Sequence, residues 1–192
     1  MRFITKITSA LIFSFGLVNA ASYSVDNAHT NVGFSVKHMM ITNVKGDFKT
    51  YDAQIDFDEA TKSFKTFSAN VNTASVDTGI EKRDEHLRSD DFFASEKFPK
   101  MTFVMKSYQA DGNEGKMKGD LTIRGITKPV VLEVEDIASV KDFQGIKRVG
   151  FSLKGKINRM DYDLKWNKAI ELGGVAVAEE VKIIVDVEAV QK

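Results

Sequence analysis

Three observations predict an all-β fold of eight antiparallel strands with a helical insertion between the third and fourth. Eight stretches alternate apolar and polar residues with a period of two. Gly, Asn and Asp clusters that favour turns stand between them. One charged stretch, residues 78–93, breaks the alternation with helical spacing. Eight strands with one apolar face each, and no break suggesting two domains, favour a closed barrel or a strongly curled sandwich.

The first twenty residues read as a leader. Arg2 and Lys6 precede an apolar run from Ile7 to Val18, and Val18-Asn-Ala20 offers modest residues where a signal peptidase reads, so cleavage is expected after Ala20. That run falls short of the roughly 20 residues a spanning helix needs. The expectation is an exported protein in which residues 21–192 form one domain. The chain has no cysteine, so its core alone must hold the fold in an oxidising compartment.

The strands follow in order. Val32, Phe34, Val36 and His38 share one face of the first. The second runs through Val44, Gly46 and Phe48, slips by one near Thr50 and continues as Tyr51, Ala53, Ile55 and Phe57, which predicts a bulge and a sharp twist. Phe67, Ala69 and Val71 mark the third; Met101, Phe103 and Met105 the fourth; Met117, Gly119, Leu121 and Ile123 the fifth. Val130, Leu132 and Val134 mark the sixth, Val149 to Ile157 the seventh, and Val181 to Ala189 the eighth. Residues 111–115, 124–129 and 144–145 carry the connecting turns.

In the insertion, Thr78 and Glu81 have capping-box spacing and predict a helix start. Helical spacing then gathers Ile80, Arg83, Asp84 and Leu87 on one face, with His86 at its margin. A face carrying both ions and apolar residues fits a lid over an apolar opening. Ser89 reads as a second cap, and Asp91-Phe92-Phe93 as a turn pinning aromatics nearby.

Composition narrows the function. The 27 basic and 27 acidic residues balance, and removing the leader leaves a slight acidic excess, which disfavours nucleic acid as a partner. Fourteen phenylalanines and seven methionines supply bulky apolar surface to line or fill an interior. The three histidines lack metal-binding spacing, and there is neither a cysteine nor a Gly-x-Ser-x-Gly elbow, so metal and nucleophile chemistry have weak support. Asp84 with His86 as an acid–base pair, for instance in a hydrolase acting on a lipid headgroup, stays open, as does a protein-interaction barrel or sandwich with a filled core.

Asp26-Asn-Ala-His29, Phe34-Ser-Val-Lys-His38, Val44-Lys-Gly-Asp-Phe48, Arg83-Asp-Glu-His-Leu87, Phe98-Pro-Lys-Met-Thr-Phe103, Gly119-Asp-Leu-Thr-Ile-Arg-Gly125 and Arg159-Met-Asp-Tyr-Asp-Leu-Lys-Trp166 together resemble the YceI-like family of bacterial periplasmic proteins across the whole mature chain. The resemblance implies a lipocalin-like eight-stranded barrel whose channel holds a polyisoprenoid or similar amphiphile, a prenyl quinone or long-chain fatty amide among them, with no cofactor. It makes Phe34, Phe48, Phe103 and Phe151 candidate channel lining. His38 is expected at the inward end of its strand and Arg83, Asp84 and His86 at the mouth, where Arg83 and Asp84 either meet ligand or form a structural ion pair. Phe92 either plugs the mouth or packs under the insertion, and Trp166 either stacks on ligand or anchors a loop. A two-fold homodimer and transient membrane contact are further expectations. Asp163 stands where the family usually carries glycine, which puts a left-handed residue to the test.

Overall fold

A computed structural model describes residues 20–170 and 174–192, so the expected leader lies outside the described residues except for Ala20. Among the described residues eleven strands form one sheet: β1 Ala21–Val25, β2 Asn31–His38, β3 Thr42–Phe48, β4 Tyr51–Asp58, β5 Ser63–Asn72, β6 Val76–Asp77, β7 Lys100–Asp111, β8 Glu114–Ile123, β9 Ile126–Lys141, β10 Lys147–Asn158 and β11 Val177–Gln191. Three pairs of short strands are collinear. β1 and β2 both pair with β11, β3 pairs with β2 as β4 pairs with β1, and β5 and β6 pair with β4 and β3. The sheet therefore has eight staves, all antiparallel, and β11 closes it against β1 and β2. Closure leaves no long free edge for another chain to extend.

The slip expected near Thr50 as a bulge within one strand is instead a break between β3 and β4: Phe48 faces inward, and after Lys49 and Thr50 the inward set resumes at Tyr51. In the first stave the ladder is spliced differently. Asp26–Thr30 loops out, and the Thr30 hydroxyl donates to the Glu188 carbonyl and accepts from the Glu188 N–H, standing in for a backbone pair. The sequence reading missed β1, because Tyr23 and Val25 are too few to register as an alternating run.

The helix α1, Glu81–Arg88, lies between β6 and β7, hence between the third and fourth staves. Its start corrects the capping box. Ile80 is the residue before the first turn, no side chain caps the helix, and Ile80 is exposed rather than on the inward face. Ser89 starts no second helix: it ends α1, donating its hydroxyl to the His86 carbonyl at 2.7 Å.

Two apolar clusters occupy the interior. One fills the barrel end nearest the β4–β5 and β9–β10 turns with Tyr23, Phe57, Phe64, Phe67, Phe151 and their neighbours. Its rings meet edge-on, as in Phe64 with Phe151 at 4.8 Å and Phe67 with Phe103 at 6.0 Å. The other, with Phe48, Phe92, Met101, Tyr162 and Leu164, lies beneath α1 and the segment after it. Polar groups seal the filled end. Arg148 reaches Asp26 at 2.8 Å, Glu188 at 2.7 Å and Asp142 at 3.0 Å, and Tyr23 donates to Glu59 at 2.6 Å.

Candidate functional site

Between the two clusters the barrel encloses a cavity of about 370 Å³. Inward side chains of β2 and β11, such as Phe34, Val36, Val181 and Ile183, are only half-buried although they point away from bulk solvent, because they face this space. Small residues widen it: Ala53 and Ala69 are direct cross-strand partners on its wall. Two glycines set the rings that shape it. A Cβ on Gly46 would sit 2.6 Å from the tip of the Phe34 ring, and one on Gly119 would sit 2.4 Å from Phe103. Each ring tip occupies the space over a glycine of the neighbouring strand, which a side chain there would forbid.

Phe67 and Phe103 form the floor, since both touch the cavity and the filled core. Phe151 is a correction. It is buried below that floor against Phe64 and Phe67 and lies outside the lining, because its position along the barrel axis belongs to the filled end. Phe34, Phe48 and Phe92 do line the cavity, as do His38, Arg83, His86 and Trp166.

At the α1 end the helix presents Arg83, His86 and Leu87 to the cavity. Asp84 is turned away, 4% exposed and outside the lining. Its Oδ1 accepts from the Thr78 hydroxyl at 2.5 Å and the Thr78 N–H at 2.9 Å. Arg83 reaches the same residue from the other side, with Nε donating to the Thr78 hydroxyl at 2.7 Å and Nη2 to its carbonyl at 2.8 Å. The two ions are therefore bridged through Thr78 instead of paired directly. This also separates Asp84 from His86, whose Nε2 stands 2.8 Å from Asp91, so the acid–base pair left open by the sequence does not form. The His86 ring lies edge-on between Phe92 at 5.0 Å and Trp166 at 4.7 Å, forming an aromatic rim.

Arg159, which the sequence offers as the start of a motif but not as a site residue, belongs to the cavity wall. Its side chain lines the cavity, is 3% exposed, and donates to the carbonyls of Leu164, Trp166, Val177 and Ala178, tying the loop after β10 to the start of β11. Burial lowers its pKa, since removal from water disfavours the charged form. The signal was present: Arg159 continues the odd-numbered inward parity of Val149, Leu153 and Ile157. Arg124, in the β8–β9 turn, donates to the carbonyls of Asp90 and Phe92 and so clamps the segment after α1. Asp163 adopts the left-handed conformation at φ 61°, and pairs with Lys165 at 2.7 Å and Arg124 at 3.6 Å, which supports the turn without glycine.

At the filled end, His29 Nδ1 stands 3.0 Å from Asp26, and ligand atoms of Asp26, His29 and Glu188 lie within 4.8 Å of one another. The Arg148 guanidinium already neutralises Asp26 and Glu188, so this group is accounted for as an ion-pair network.

Comparison with known proteins matches residues 23–189 to the YceI-like domain model. The chain is 39% identical over 186 residues to Protein YceI of Escherichia coli O157:H7, covering 96% of this chain and 94% of that protein. The crystal structure of the Campylobacter jejuni YceI protein superposes with a TM-score of 0.73 at 44% identity, covering 88% of this chain and 96% of that one. A polyisoprenoid binding domain from Saccharophagus degradans shares the fold, with a TM-score of 0.63 at 14% identity over 91% of this chain and 100% of that one. An eight-stave antiparallel barrel, an apolar cavity under a helical insertion, and a match over nearly the whole chain lead to one conclusion: this protein belongs to the YceI-like family.

Proposed function

We propose that this barrel is a periplasmic carrier or store for one long apolar chain, a polyisoprenoid, prenyl quinone or fatty amide, and works without covalent chemistry. The observation that carries this reading is the apolar cavity of about 370 Å³ between a packed floor and a rim of ionisable and aromatic groups. Its volume falls within the range of roughly 300–1,000 Å³ common to small-molecule sites. Burying hydrocarbon contributes about 0.8 kcal/mol per methylene before ordering costs, so the tail supplies affinity and the rim supplies identity. His38, Arg83 and His86 line the cavity near its mouth, which suits a headgroup that accepts hydrogen bonds, while Arg159 is committed to backbone carbonyls. Arg83 commits its Nε–H and one Nη2–H to Thr78, which leaves the Nη1 hydrogens and the second Nη2 hydrogen as donors for that headgroup. A fold shared with a domain described as polyisoprenoid-binding agrees with the reading.

Native mass spectrometry of protein purified from the periplasm, with extraction and identification of the lipid, is the test. A stoichiometric long-chain amphiphile is expected. Protein that carries none, and takes up none from prenyl quinones, prenyl phosphates or fatty amides, would overturn the reading.

A further inference from the structure

The hairpin between β2 and β3 carries Met39, Met40 and Ile41, all exposed, with Ile41 81% exposed. Met39 and Met40 both have positive φ, at 48° and 61°. Such positions ordinarily select Gly, Asn or Asp, so two bulky thioethers followed by a β-branched residue are an expensive choice that packing does not explain. The tip lies at the cavity mouth. His38, the residue before it, lines the cavity; Met39 donates its N–H to Ala176; and Met40 lies against Gly174, beside the strand start where Val177 also lines the cavity. Lys37 and Lys45 flank the tip, and residues 37–45 contain no acidic side chain.

We propose that the Met39–Ile41 tip is a membrane-docking finger that inserts into the surface of a bilayer containing anionic phospholipid and places the cavity mouth against it. The proposal rests on the carrier reading for its purpose, since a chain leaving past His38 would emerge beside the finger. The chemistry of the patch identifies the partner: three contiguous apolar side chains to enter the acyl boundary, with lysines on either side to meet phosphate headgroups. Methionine suits a disordered acyl phase, being unbranched and adaptable. The opposite barrel end supplies a control, because Phe143 in the β9–β10 turn is fully exposed but stands beyond the filled core, away from the mouth.

The experiment is flotation of the full mature protein with vesicles of phosphatidylcholine alone or mixed with phosphatidylglycerol. Wild type is expected to float with the mixed vesicles, Met40→Asp/Ile41→Asp to lose partitioning about ten-fold or more, Lys37→Glu/Lys45→Glu to lose the preference for anionic lipid, and Phe143→Asp to behave as wild type. Failure of wild type to float, equal flotation of the Met40/Ile41 double variant, or an equal loss in Phe143→Asp would overturn the finger. Lipid extraction of the same variants keeps the two readings apart. Met40→Asp/Ile41→Asp should retain the wild-type lipid complement, and protein without lipid that still floats through this tip would sink the carrier reading while upholding the docking surface.

Discussion

Asp84 holds Thr78 by both its hydroxyl and its backbone N–H, at 2.5 and 2.9 Å, across the turn that starts α1. This bond, with Arg83 on the other side of the same threonine, takes the place of a helix cap and fixes the angle at which the insertion lies over the cavity. It joins β6, at the barrel wall, to the helix that presents Arg83, His86 and Leu87.

Asp84→Ala leaves two Thr78 donors without their acceptor. Lost hydrogen bonds of this kind cost roughly 1–3 kcal/mol, so the melting temperature should fall by roughly 3–8 °C. Exchange of bound lipid should speed up while the identity of the lipid stays the same, read by calorimetry and by release to acceptor vesicles. Unchanged exchange with lowered stability would mean that the insertion does not gate the cavity.

Ala69→Phe projects a ring into the cavity opposite Ala53. Because the site is open space, the added ring should leave the melting temperature within about 3 °C of wild type, whereas overpacking a filled core costs roughly 1–3 kcal/mol. Lipid retention should be lost, as measured by native mass spectrometry. The same substitution with a full lipid complement would place the ligand elsewhere.

Arg159→Met removes the donor shared by the carbonyls of Leu164, Trp166, Val177 and Ala178. The expected loss is roughly 2–4 kcal/mol in denaturant unfolding. Arg159→Lys should rescue little of it, because a compact ammonium lacks the planar fork that reaches several carbonyls.

Hydrogen bonds from His29 first, then from Arg148 and the Ala28 N–H, hold the Asp26 carboxyl down to about 2, below its ordinary 3.8. A carboxylate with a lowered folded pKa contributes stability above the unfolded value and loses it as the pH falls through the folded one. Urea midpoints should therefore decline between about pH 4 and pH 2, with Asp26 contributing about 1 kcal/mol after solvent screening. Asp26→Asn should be less stable at pH 7 and show a shallower decline over that window; an unchanged slope would remove Asp26 from the network.

Sequence alternation by itself determined the inward and outward faces, because successive strand residues must point to opposite sides of a sheet. That was enough to place eight staves and the slip at Lys49 and Thr50; the charged stretch with helical spacing placed the helix between the third and fourth staves, and the resemblance to the family, which usually carries glycine there, pointed to the left-handed Asp163. Parity says nothing about depth along the barrel axis. Phe34 and Phe151 are alike in sequence as inward phenylalanines, yet Phe34 faces the cavity and Phe151 is packed beneath its floor. Only the stagger of closed strands decides which side chains share a layer, and so which layer is filled and which is left open. The same holds for Thr78: its spacing to Glu81 offered a local cap, but Asp84 and Arg83, brought to it by the turn of α1 against β6, supply stronger charged partners and take it instead.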